Sequence, residues 1–176
     1  MLSKVTLPAT LAALLFAFTT LYAADSAGEK KEQVPVNPIV SAAAKSGVNR
    51  CLPRLNQISN FMTSGTQSGA FLFIPESAPD DNITSLSLEI TTPGPVTTYG
   101  TATVAPLGEE VCNGLYEAVK YWPSSCLEVA MRNYKELKSA GPLKSGIQML
   151  EGNDNMRVFL MEAGEGCVSI KKQVIY

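Results

Sequence analysis

The sequence predicts an α+β fold, an antiparallel sheet of about seven strands with two helices packed on one face, in the order α-β-β-β-β-α-β-β-β. Three observations lead there. Short extended runs are separated by turns rich in Gly, Pro, Asn and Asp. Two other segments carry apolar residues at helical spacing. Their order, four strands between the helices and three after the second, is that of an antiparallel sheet with its helices gathered on one face.

Taken along the chain, residues 1–24 have the layout of a secretory signal: Lys4 near the start, an apolar run over about 11–18, and Leu21-Tyr22-Ala23-Ala24 as a small-residue exit. Thr19 and Thr20 interrupt the run, which falls short of the roughly 20 apolar residues of a spanning helix. No membrane span is therefore expected after cleavage. Residues 25–46, with clustered charge, Pro35 and Pro38, read as a disordered or tethering segment, with 39–45 as a short helix in the alternative. Residues 47–176 form the single α+β domain.

The first helix is expected over 53–62, opened by Pro53 and facing the core through Leu55, Ile58 and Met62. Residues 69–74 are apolar on both sides, the pattern of a central strand. After a Pro/Asp/Asn loop over 75–82, residues 84–91 alternate, with Leu86, Leu88 and Ile90 on one side and Ser85, Ser87 and Glu89 on the other. A Pro-Gly-Pro turn at 93–95 leads into a Thr-rich strand over 96–104. The stretch 115–122 reads as a strand, although Leu115, Ala118, Val119 and Trp122 also fit a helical stripe. Pro123 ends it, and Ser125 with Glu128 forms a capping box for the second helix. That helix would turn Cys126, Val129, Ala130, Tyr134 and Leu137 toward the core. Residues 139–142, Ser-Ala-Gly-Pro, read as a stop signal, and strands over 147–150, 156–161 and 167–176 complete the sheet. In the last of these Val168, Ile170, Val174 and Tyr176 alternate. Closing strands of outer-membrane barrels do the same, but the helices and the few long alternating strands favour the final strand of an ordinary sheet.

Composition excludes more chemistry than it indicates. The 176 residues contain no histidine, which removes Ser-His-Asp and Cys-His nucleophile pairs and every His-containing metal site. A net charge of −2 leaves no basic field for phosphates, so no nucleic-acid partner is expected. The acidic pairs Asp80-Asp81, Glu109-Glu110 and Glu162 with Glu165 lack calcium-loop spacing. Ser169 and Lys172 satisfy S-x-x-K by letter, but three positions along a strand put them on opposite sides. Lys171 and Lys172 read as protection for a sheet edge or solvation of the last strand. No catalytic, cofactor-binding or metal-ligating residue is assigned.

Four cysteines in an exported chain point to two disulfides. Cys112 and Cys126 would lie at opposite ends of the 115–122 strand, too far apart to pair. The preferred pairs are Cys51 with Cys126, both at helix starts, and Cys112 with Cys167, both at strand starts. No C-x-x-C spacing supports a redox or zinc site.

The function expected from this is that of a secreted or periplasmic, non-catalytic binding module acting on an envelope or secreted macromolecule, as an inhibitor or immunity-type protein does. Its candidate contact surface is the loop residues Pro75, Glu76, Asp80 and Asp81 with Pro93 and Pro95, whose prolines lower the cost of presenting a fixed shape. The alternative is a small-ligand carrier or sensor with a pocket between helix and sheet, lined by Phe71, Phe73, Trp122 and Tyr134.

Overall fold

A computed structural model describes residues 37–92, 96–109 and 111–176. The segment 1–24, residues 25–36 and the 93–95 turn, with Pro93 and Pro95, lie outside the described residues.

The strands are β1 (Gln67–Phe73), β2 (Thr84–Thr91), β3 (Thr97–Leu107), β4 (Val111–Trp122), β5 (Lys138–Pro142), β6 (Ile147–Glu151), β7 (Met156–Ala163) and β8 (Gly166–Ile175). They form one antiparallel sheet of eight, in spatial order β1-β2-β3-β4-β8-β7-β6-β5. The helices are α1 (Pro38–Lys45), α2 (Leu52–Thr63) and α3 (Cys126–Asn133). β4 is extended throughout, paired with β3 on one side and β8 on the other, which resolves the strand-or-helix ambiguity of 115–122.

Among the described residues all three helices lie on one face of the sheet. On β2, β3 and β4 that face holds Leu86, Leu88, Ala102, Val104, Cys112 and Tyr116, buried with residues of α1 and α2. Gly114 lets α2 come close, since a Cβ there would run into Ile58 and the stem of Arg54. Beyond β4 the same face carries a second, smaller core, where Val129 of α3 meets Leu150, Val158, Leu160 and Cys167. Cys126, Ala130, Tyr134 and Leu137 pack against it as their spacing predicts. Ser125 caps α3 by accepting from the Glu128 N–H at 3.3 Å.

Several expectations are corrected. Residues 38–45 are helical rather than a tether: the Asn37 side chain accepts from the Val40 N–H, Pro38 occupies the first turn, and Ile39, Val40 and Ala43 are buried. Residues 138–142 form an eighth strand where Gly-Pro reads as a stop. β5 is an edge with a register shift between Ser139 and Gly141, and an edge is where a sheet accommodates proline. β1 is the opposite edge and not a central strand. β8, read as a final strand guarded by lysines, sits in the middle of the sheet between β4 and β7.

All four cysteines are in disulfides, one per core, but the pairs are Cys51–Cys112 and Cys126–Cys167. The physical reason is strand direction. β4 and β8 are antiparallel, with Trp122 opposite Cys167, so the starts of the two strands lie at opposite ends of the sheet. Cys167 therefore meets Cys126, where the chain leaves β4, and Cys112 meets Cys51 at the head of α2. Cys112 and Cys126 are not bonded to each other, as expected.

Candidate functional site

The loop over 75–82 is fastened to the domain. One oxygen of Asp80 accepts from the backbone N–H of Asn49 at 2.7 Å and of Arg50 at 2.6 Å, and the Arg50 guanidinium reaches Asp81 at 2.9 Å. Asp80 thus closes the turn between α1 and α2, and only Pro75 and Glu76 of the described surface candidates have no such structural tie among the interactions of the loop. The two N–H donors, first Asn49 and then Arg50, hold the Asp80 carboxyl below the ordinary carboxylate range. A depressed folded-state pKa gives stability that is present above the unfolded value near pH ~4 and lost as pH falls through the folded value. Asp80→Asn is accordingly expected to remove part of the acid limb of stability below about pH 4, read from melting temperatures of both proteins across that range.

The four aromatics proposed as a pocket do not meet. Phe71 and Phe73 project from β1 on the side away from the helices, 64% and 55% exposed, edge to face with centroids 4.9 Å apart. Trp122 and Tyr134 belong to the α3 core. There the buried Ser169 hydroxyl accepts from Trp122 Nε1 at 2.8 Å and from the Tyr134 hydroxyl at 3.1 Å, while Lys120 Nζ lies 4.1 Å from the indole centroid. A cleft of about 190 Å³ does open between α2 and the sheet, lined by Gln57, Ile58, Phe61, Tyr116, Gln173 and Ile175. Tyr116 donates to Gln173 across it at 2.7 Å. Burial raises the Tyr116 pKa and lowers that of Lys171, whose ammonium stands over the rings of Tyr116 and Phe61. The cleft is below the roughly 300 Å³ at which drug-sized ligand sites begin.

The other face of the sheet carries a feature that the sequence reading missed. Among the described residues no helix covers it, and strand register fixes its pattern in rows. Met149, Phe159, Ile170 and Val119 are successive neighbours across β6, β7, β8 and β4; Ile147, Met161, Val168 and Tyr121 form the row beside them. All eight are apolar or aromatic. A charged row borders them, Glu151, Arg157, Lys172 and Glu117, with ion pairs Arg157–Glu151 and Lys172–Glu117 at 2.7 Å each. At about 4.8 Å between strands and 6.8 Å between alternate residues, the two apolar rows cover a footprint of about 260 Å². Toward β3 and β2 the same face becomes polar, with Thr101, Thr103, Ser85 and Ser87.

β8 states the conflict most clearly. Its helix side holds Cys167, Ser169, Lys171 and Gln173, while its uncovered side holds Val168, Ile170 and Val174. The alternation was legible in the sequence, but an apolar set is ordinarily assigned to the core. Here it points outward. Ser169 and Lys172 accordingly lie on opposite faces, one inside the α3 core and the other paired with Glu117. The chain matches no protein-family model, no curated protein and no solved structure.

Proposed function

We propose that this chain is an exported, non-catalytic binding module that engages a secreted or envelope macromolecule through the uncovered apolar rows on β4, β8, β7 and β6. The observation that carries this reading is the outward-facing apolar set of β8. Folding favours turning Val168 and Ile170 inward and Ser169 and Lys171 outward, so the reversed alternation leaves two adjoining apolar rows on an open face where a partner can cover them. The charged row along its border supplies the polar rim common to protein interfaces. Export is supported by two disulfides, which persist in oxidising compartments, and among the described residues no helix is long and apolar enough to cross a membrane. An inhibitor or immunity-type role fits such a surface, since those proteins act by complementarity alone.

The test is one charge in the middle of the patch. Ile170→Glu is expected to abolish capture of the partner from the exported fraction while changing stability by no more than about 1 kcal/mol, the scale of cross-strand pair contributions. Ser85→Glu, on the polar half of the same face and opposite Thr103, should capture as the wild type does. Equal capture by all three proteins would remove the open face from consideration.

A further inference from the structure

The two edges of the sheet, β1 and β5, are built differently. β5 carries Lys138, a register shift between Ser139 and Gly141, and Pro142, all of which discourage another strand from pairing with an edge. β1 has none of these. Gln67–Phe73 contains no charge and no proline, and its register with β2 runs unbroken. Among the described residues no strand occupies its outer side, which leaves a row of N–H and C=O groups as a template for one more strand.

We propose that β1 of a second copy fills this edge, paired antiparallel about a twofold axis at Ala70, so that the two sheets become continuous. A twofold contact requires a surface complementary to itself. Centring on Ala70 meets that requirement, because Phe71 then faces Gly69 of the second copy, Leu72 faces Ser68 and Phe73 faces Gln67. Each bulky side chain opposes a smaller one, and a ring laid over an edge glycine is a known stabilising arrangement. No like charges meet. The two Phe71 rings become diagonal neighbours about 7 Å apart, within aromatic reach, and extend the Phe71–Phe73 contact that each copy already holds. This accounts for two phenylalanines left more than half exposed on a sheet edge. On the helix side, α1 and β1 border a groove of about 490 Å³ lined by Pro38, Ile39 and Ala42 of α1 and by Ser46 just beyond its end.

Sedimentation equilibrium of the purified, disulfide-bonded protein tests this, with twice the chain mass expected at micromolar concentration. Gly69→Lys is the diagnostic variant. A side chain at that position meets nothing within 4 Å, so the fold is retained and the dimer is lost. Phe71→Glu should also be monomeric. An equimolar mixture of the two variants should dimerise again, because the register sets the new lysine of one against the new glutamate of the other. A monomeric wild type overturns the proposal, as does a dimer that survives Gly69→Lys. Failure of the mixture to associate, with both variants melting as the wild type does, overturns the Ala70 register.

Discussion

Replacing Cys126 and Cys167 together by alanine is expected to lower unfolding stability by about 4 kcal/mol, from the chain entropy of a crosslink between residues 41 apart. That is a large fraction of the 5–15 kcal/mol typical of a domain. The effect falls on the smaller of the two cores, where few fully buried residues stand beside Val129, so α3 should open before the rest. Denaturant unfolding gives the magnitude, and amide exchange in α3 gives the order. Removing Cys51–Cys112, which spans 61 residues, carries a similar entropic loss, but the larger core around Leu55 and Leu88 should keep α2 protected. Equal exchange in α2 and α3 for both double variants would show that the two cores do not open independently.

Trp122→Ala is the other large expected effect, about 2–4 kcal/mol for an indole that is half-buried against the α3 core. The indole fills the junction between β4 and α3 and donates to Ser169, whose hydroxyl is buried. Truncation leaves both a cavity and a weakened polar cluster, in which only Tyr134 still donates to that hydroxyl. Trp122→Phe keeps most of the volume and removes the indole N–H, so its cost should fall to about 1–2 kcal/mol. Chemical denaturation of the two variants separates the packing and hydrogen-bond contributions. A loss under about 1 kcal/mol for Trp122→Ala would place the ring outside the core.

What could be read from the sequence follows from how one-sided each element is. β2 has one face against α1 and α2 and the other in solvent, and its bounds match the expected 84–91. The stripe from Cys126 to Leu137 was legible for the same reason, although α3 itself ends at Asn133. Trouble arose where local pattern and tertiary position disagree. β1 looks central because Leu72 lies under α1 while Phe71 and Phe73 are apolar on the free side. β5 escaped notice because Gly-Pro marks a stop everywhere except at a sheet edge. Disulfide pairing depends on which strands are neighbours and in which direction they run, and neither is a local property.

The uncovered apolar face escaped the sequence reading for a related reason. Loops attracted the assignment because they exceed what a turn needs, but Asp80 and Asp81 serve the α1–α2 connection. The apolar alternation of β8 is visible in the sequence, but alternation alone does not say which side of a strand is covered. Only the positions of the helices reveal which side of that strand is covered.

Whether the uncovered face of β4, β8, β7 and β6 meets a partner is decided by site-specific photo-crosslinking of the protein in the cells that produce it. A photoreactive phenylalanine analogue would be placed in turn at Phe159, inside the apolar rows, at Thr101, on the polar half of the same face, and at Glu76, in the loop. One crosslinked product is expected from Phe159 and none from Thr101 or Glu76. A product from Glu76 with nothing from Phe159 would contradict it and return the contact site to the 75–82 loop.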